Sequence, residues 1–415
     1  MPVPPEDLKS DTLALLIGTN PIPNVVAARL LARRRVLLFH TSGTLDLAKR
    51  LGQCLRGRSK LEYVLCPILS SEPWDVREAI LQGIADHSDG SFGLHYTGGK
   101  KVMAVEACRV VATTQDPCML SYLDASTHTL FLEDAKNGRH VYRLKPGDVN
   151  DISSVHELRT LHGLSQEETV SEFPNGETCE SLKGALIHIY SSDEHGPHRR
   201  WVAGHRTELN RLERGGRDSA FKDRNLLRGD AVDTLRDWLD NFCPRADTWG
   251  ELGESLGVRS TNPKFPSRTG GGAETFSYME GKWLEDVTAD ALSSPPSLGQ
   301  VVRGIETSGP RFELDVVCLA GYQLYAMSCT TTGDKATARQ KLLEVLIRAK
   351  QLGGDEANVA VIWCPPPAEN PERLRKYLLD TYEAVAGRRE QFHVQFFRNE
   401  RAFRTGIRGW VNTWA

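Results

Sequence analysis

The chain has 415 residues, 40% of them apolar and 25% charged, and a net charge of −3; this is a globular composition, long enough for two or three domains and more than one core. So small a charge excludes a global basic field, and any nucleic-acid surface must be a local groove.

The nine cysteines are scattered without a C-x-x-C pair, and Cys66, Cys318, Cys329 and Cys364 lie in apolar runs. That is the pattern of buried thiols in a reducing cytosol. No run approaches the roughly 18 apolar residues of a membrane span. The opening M-P-V-P-P-E-D also lacks a basic region followed by an apolar core, so a cytoplasmic chain is expected.

From Thr12 apolar strands alternate with helices. T-L-A-L-L-I-G precedes a helix from Val25 to Leu31, and V-L-L-F-H precedes one from Leu45 to Cys54. L-E-Y-V-L-C-P is followed by a helix from about Pro73 to Gly83, and F-G-L-H-Y by one from about Lys101 to Thr113. The alternation predicts an α/β fold with a parallel, doubly wound sheet, and ligands bind such sheets at the carboxyl ends of the strands. Three of those ends are polar and rich in glycine: Gly18-Thr19-Asn20-Pro21, His40-Thr41-Ser42-Gly43-Thr44 and Tyr96-Thr97-Gly98-Gly99-Lys100-Lys101. Glycine allows close backbone approach, the free amides of a helix N-terminus suit phosphates, and Lys100 or Lys101 adds positive charge. One such loop alone reads as turn punctuation, whereas three converging on one edge point to a ligand.

The run H-Y-T-G-G-K-K-V-M-A resembles the T-G-G-T-K-x-M signature of CARF domains, the CRISPR-associated Rossmann-like sensors of cyclic oligoadenylates, with Lys100 where the family usually has Thr. The resemblance covers roughly the first 145 residues. It implies that Thr19, Asn20, Thr41, Ser42, Thr97, Gly98, Gly99, Lys100 and Lys101 contact a ring of four or six adenylates, cyclic tetra-adenylate before hexa-adenylate. It further implies a homodimer that holds one ring on its twofold axis. The expected division is a sensor domain over 1–148, a connecting region over 149–250 and a second domain over 251–415.

In the connecting region, S-S-V-H-E-L-R-T-L-H-G-L resembles the short segment that follows the sensor in these proteins. The arginines of R-W-V-A-G-H-R-T-E-L-N-R-L-E-R-G-G-R read as a solvated face rather than a nucleic-acid track, and A-V-D-T-L-R-D-W-L is an amphipathic helix. His188, His195, His198 and His205 crowd together, but without cysteine partners or a compact ligand quartet they read as a polar loop and not as a zinc site. Ser260 to Glu274, with Pro263, Pro266 and Gly270-Gly271-Gly272, reads as a flexible linker or an active-site lid.

The stretch from Gly281 to Gly354 carries the chemistry. In F-E-L-D-V-V, Glu313 and Asp315 project together from one face of a strand while Leu314 and Val316 turn toward the core. Glu285 lies on a segment whose Trp283, Leu284, Val287, Ala291 and Leu292 form a helix-like apolar face, and packing of that helix on the sheet adds a third oxygen ligand. All-oxygen ligation selects magnesium or manganese, which would polarise a phosphoryl oxygen and lower the pKa of water. Beyond Gly354, the strand N-V-A-V-I-W-C, a helix from Pro371 to Ala386 and the strand F-H-V-Q-F-F complete an α/β domain whose edge Trp410 and Trp414 cover.

A glutamate on a helix, an acidic pair on a strand, and a second strand leading into a lysine-bearing helix resemble the PD-(D/E)xK, restriction-endonuclease-like, superfamily. W-L-E, E-L-D-V, S-C and A-K-Q-L-G-G-D-E-A resemble the C-terminal domain of CRISPR-associated CARF nucleases. The resemblance implies that Glu285, Glu313 and Asp315 are catalytic metal ligands, with Ser328 in the acidic-or-serine position of the second strand. The usual lysine position holds Thr330, which has no ammonium to orient water or offset charge on a phosphate. Lys335, just past the strand and its Gly333 turn, and Lys341, in the first turn of a helix read from Arg339, are the candidates for a migrated lysine, Lys341 before Lys335. The function implied is a cyclic-oligoadenylate-activated, metal-dependent endonuclease cutting DNA or RNA in type III CRISPR antiviral defence. The alternative, kept open by Thr330, is a pseudo-nuclease that acts as a second-messenger sensor or scaffold.

Overall fold

The computed structural model describes residues 4–87, 89–114, 118–124, 127–134, 138–145, 154–164, 176–214, 227, 230–258, 271–293, 300–307, 312–354, 357–366, 368–386 and 391–412. The first domain runs through β1 (Ser10–Leu16), α1 (Ile22–Leu31), β2 (Ala32–His40), α2 (Leu45–Ser59), β3 (Glu62–Pro67), α3 (Pro73–His87), β4 (Phe92–His95) and α4 (Lys101–Thr114). It ends in β5 (Cys118–Asp124), β6 (Thr129–Asp134) and β7 (Gly138–Arg143). The sheet order is β3-β2-β1-β4-β5-β6-β7. Strands from β3 to β5 pair in parallel, and β6 and β7 return antiparallel.

The parallel core is the expected fold class. Leu13 to Leu16 and Val36 to Phe39 are wholly buried, as strands covered by helices on both faces must be. Chain order reverses between β1 and β4, the switch point at which a doubly wound sheet opens a crevice. β5, β6 and β7 fall where the sequence reading places no element. Their inward residues alternate regularly, but Tyr122, Phe131 and Val141 are apolar on the exposed face, which blurs the period-two pattern.

Next come α5 (Val155–His162), α6 (Glu177–Ser191), α7 (His195–Arg214), α8 (Asp233–Phe242), α9 (Trp249–Ser255) and α10 (Gly272–Ser277); a π-helical turn, Tyr278–Lys282, then joins α10 to α11 (Trp283–Ser293). The second sheet follows, with β8 (Val301–Thr307), β9 (Phe312–Ala320), β10 (Gln323–Thr330), α12 (Lys335–Gly353), β11 (Asn358–Trp363), α13 (Pro371–Ala386), β12 (Phe392–Phe396) and α14 (Glu400–Asn412). Its order is β12-β11-β10-β9-β8, parallel from β10 to β12 and antiparallel from β8 to β10.

One apolar cluster runs from Leu13 and Leu15 through Leu158 of α5 to Leu342 and Val359, so the two domains share buried surface. A second joins Leu186, Trp201, Leu235 and Trp249 to Trp283, Val316 and Met327. Most of the stretch read as a connector is therefore a helical layer of the second domain. Leu314 and Val316 are both buried, as expected, but in different clusters. Trp410 packs on His393 and Tyr325, with ring centroids at 5.2 Å in each case, the edge-covering role expected of it. Trp414 and the main part of the expected linker or lid, 259–270, lie outside the described residues. All nine cysteines are free thiols. Among the described residues no helix is long and apolar enough to cross a membrane.

Candidate functional site

Two places gather chemistry-bearing residues. The first is the carboxyl edge of the first sheet. Parallel pairing of β2, β1 and β4 puts the three glycine-bearing loops side by side. The loops after β1 and β4 touch through their backbones, since a Cβ on Gly18 would lie 2.9 Å from the Gly99 nitrogen and one on Gly98 2.1 Å from the Leu16 carbonyl. Gly99 is held at φ +77, a region that favours glycine.

Several expected contact residues already serve the loops. Asn20 Oδ1 accepts the Ile22 N–H at 3.1 Å, starting α1, and Thr41 forms a reciprocal cap with Thr44. Thr97 Oγ1 accepts the Leu123 N–H at 2.7 Å, fastening the loop to β5. Lys100 Nζ donates to Ser71 Oγ at 2.6 Å, a partner from the loop after β3 that the sequence reading does not name. Thr19, Ser42 and Lys101 are exposed, and Lys101 opens α4, where helix amides add to its charge.

The second place is a cavity of about 530 Å³ at the end of the second sheet. Glu285 of α11, Glu313 and Asp315 of β9 and Lys341 of α12 all line it. Ser328 meets the cluster through Asp315, whose Oδ2 accepts the Ser328 hydroxyl at 3.0 Å and the Cys329 N–H at 2.7 Å. Burial, and secondarily Asp315, pushes the Glu285 carboxyl well above the usual range. Asp315 is likewise raised, by burial against the opposing pull of Lys341 and the Cys329 amide. Burial alone would lower the Lys341 ammonium, but Asp315, Glu344, Glu313 and Glu285 together outweigh it and its pKa is raised. These residues thus feel one another.

α12 starts at Lys335, capped by Asp334, whose carboxylate accepts the Ala336 and Thr337 N–H groups. The start is four residues earlier than the expected Arg339, because Asp334 caps the helix there; Lys341 therefore sits in the second turn. Lys335 does not join the cavity lining and pairs instead with Glu369 at 3.0 Å.

Sequence reasoning also missed one wall. Arg199, Val202, Ala203 and Arg206 of α7 line the cavity, together with Glu280, Gly281 and Lys282 of the π-helical turn. Thr331 Oγ1 donates to the Glu280 carbonyl at 2.7 Å and so ties that turn to the end of β10. The arginines read as a solvated face are there because Trp201 and His205, between them in sequence, are buried against Trp249. The indole and imidazole spacing was the available signal. His195, His198 and His205 are buried beside Tyr190 and Trp201, not in the polar loop expected.

Whether the donor set fits a divalent ion can be judged from the carboxylates. Among the described residues no three of His, Cys, Asp and Glu form a ready ligand group. Magnesium, however, typically takes one or two carboxylates and fills its shell with water and substrate phosphate. Asp315, buried, and Glu285, half-buried, repel one another and fit that requirement, with Glu313 exposed at the rim.

No family model and no curated protein matches the sequence. Among solved structures, Can2 from Sulfobacillus thermosulfidooxidans in complex with cyclic tetra-adenylate aligns over 97% of this chain and 98% of its own, with a TM-score of 0.64 and 15% identity. Protein VC1899 from Vibrio cholerae aligns over 97% and 98% with a TM-score of 0.65 and 14% identity. At such identities the likeness is one of fold, and it extends through both domains.

Proposed function

We propose that this chain is a cyclic-oligoadenylate-activated, metal-dependent endonuclease. The observation that carries the reading is the meeting of Glu285, Glu313, Asp315 and Lys341 around one cavity, in a chain whose fold follows that of a protein solved with cyclic tetra-adenylate. Asp315 and Glu285 would hold magnesium or manganese, which supplies polarisation of a phosphoryl oxygen and acidification of water. Ser328 and the Cys329 amide fix Asp315, and Lys341 sets an ammonium against charge developing on the phosphate.

The ring would bind at the edge formed by Gly18, Gly98 and Gly99, with Lys101 meeting its phosphates. A homodimer holding one ring fits the exposed row of Tyr122, Phe131 and Val141, paired across β5, β6 and β7, since contiguous exposed apolar side chains mark contact surfaces. A ring that binds the active arrangement more tightly than the resting one supplies the switching energy. The role fits type III CRISPR antiviral defence.

Thr330 in the lysine position favours a second reading, a ring-binding pseudo-nuclease. Purified protein with manganese and synthetic cyclic tetra-adenylate, offered plasmid DNA and single-stranded RNA, separates the two. Ring-dependent cleavage supports the nuclease. Ring binding without cleavage of either substrate supports the pseudo-nuclease, and absence of ring binding overturns both.

A further inference from the structure

The cavity has a cationic wall supplied from outside the sheet, and its residues answer what the carboxylates must recognise. Arg199, in the second turn of α7, rests its guanidinium 5.6 Å from the centre of the Tyr190 ring, and one terminal nitrogen donates to the Cys364 carbonyl. Tyr190 is itself held by Trp283, at 4.9 Å between ring centroids, so the stack is anchored in the second core. Arg199 lines the cavity, yet its Nε is buried without a hydrogen-bond partner. Arg206, two turns on and on the same face, pairs with Glu280 at the rim, so of the two arginines Arg199 is the one poised inward.

We propose that Arg199 is a phosphate-positioning residue of this site, gripping a backbone phosphate of a single nucleic-acid strand between α7 and the carboxylates of the sheet. The inference rests on the nuclease reading. A planar guanidinium fixed along one edge presents its remaining donors in the fork that suits phosphate oxygens. The cavity, at about 530 Å³, has the scale of a small-ligand pocket, so a strand enters it singly rather than as a duplex. The ring of Tyr190 is covered by the guanidinium, and recognition is therefore of phosphate rather than by stacking of a base.

The test is binding of short fluorescent single strands of DNA and of RNA, identical in sequence, to the full chain in EDTA, with and without cyclic tetra-adenylate, across a salt series. Arg199→Gln should weaken binding about tenfold and lower the slope of log affinity against log salt by about 0.7, the share of one phosphate contact on a single strand. Arg199→Lys should restore the slope, since the charge returns, and Arg200→Gln, an exposed neighbour, should leave it unchanged. A wild-type slope in Arg199→Gln overturns the inference while leaving the nuclease reading standing. If the wild-type chain binds no strand in either condition, the inference is overturned, while the nuclease reading is decided separately by cleavage with manganese and the ring. A duplex of the same sequence bound as tightly as the single strand overturns the assignment of substrate class.

Discussion

His128 and Tyr322 join the two domains through a hydrogen bond of 3.0 Å between the imidazole Nδ1 and the phenol oxygen. His128 leads into β6, in the turn after β5, and β5 is fastened at Leu123 to Thr97 beside the Gly98-Gly99 loop. Tyr322 sits in the turn between β9 and β10, the strands that carry Asp315 and Ser328. The pair thus lies between the proposed ligand edge and the carboxylates. Tyr322→Phe should leave ring binding within about twofold and reduce ring-stimulated cleavage about fivefold, the worth of roughly 1 kcal/mol of hydrogen bonding. Calorimetry and cleavage on the same preparation read the two effects; equal losses in both would mean a contact that only supports the fold.

Asp315→Asn should abolish cleavage and hold or raise the melting temperature at neutral pH in metal-free buffer. Asparagine keeps an acceptor for Ser328 and Cys329. A carboxyl whose folded pKa is raised is least comfortable where it must ionise, so neutralising it relieves the site. A melting temperature lowered by many degrees would show instead that the Asp315–Lys341 attraction dominates.

Lys341→Ala should slow single-turnover cleavage about 100- to 1000-fold, the usual loss on removing a well-placed donor to transition-state charge. Lys335→Ala should stay within about twofold, because a half-exposed pair with Glu369 contributes little. Cleavage that appears only on Thr330→Lys would establish the pseudo-nuclease.

Lys101→Ala should weaken ring binding about tenfold without altering the melting temperature, a loss of about 1.4 kcal/mol. Gly98→Ala is the contrasting variant: its Cβ would meet the Leu16 carbonyl at 2.1 Å, so it should lower the melting temperature as well. Wild-type ring affinity in Lys101→Ala would remove that residue from the ligand edge.

Acid should destabilise the chain early. Burial holds His95 and His198 down at about 3, and His128, His162 and His393 at about 4. The unfolded chain binds protons at these positions below about 6.5 while the folded chain does not. Their stabilisation is therefore complete above that pH and is lost as pH falls toward 4, by up to about 1.4 kcal/mol per pH unit for each histidine. Melting temperatures should hold between pH 7.5 and about 6.5 and fall from there to pH 5; a flat profile over the lower range would mean that these rings reach solvent.

The sequence by itself determined the parallel core of the first sheet and the acidic pair of the second. Local periodicity dictates the first, since Leu13 to Leu16 are apolar because helices cover both faces; Glu313 and Asp315 both line the cavity, although Leu314 and Val316 part into different clusters. It also marked Gly98 and Gly99, whose close approach to Leu16 tolerates no side chain. The sequence favours Lys341 over Lys335; the tertiary structure adds that Lys341 lines the cavity while Lys335 pairs with Glu369, with Asp334 capping α12. The tertiary structure alone placed Arg199 in the cavity, because an arginine on an amphipathic helix points to solvent or to a site according to what packs beneath it. Here Tyr190, itself packed on Trp283 from a helix far along the chain, forms that bed. The i, i+4 spacing of Trp201 and His205 shows only that α7 has a buried face, not what the rim of that face meets.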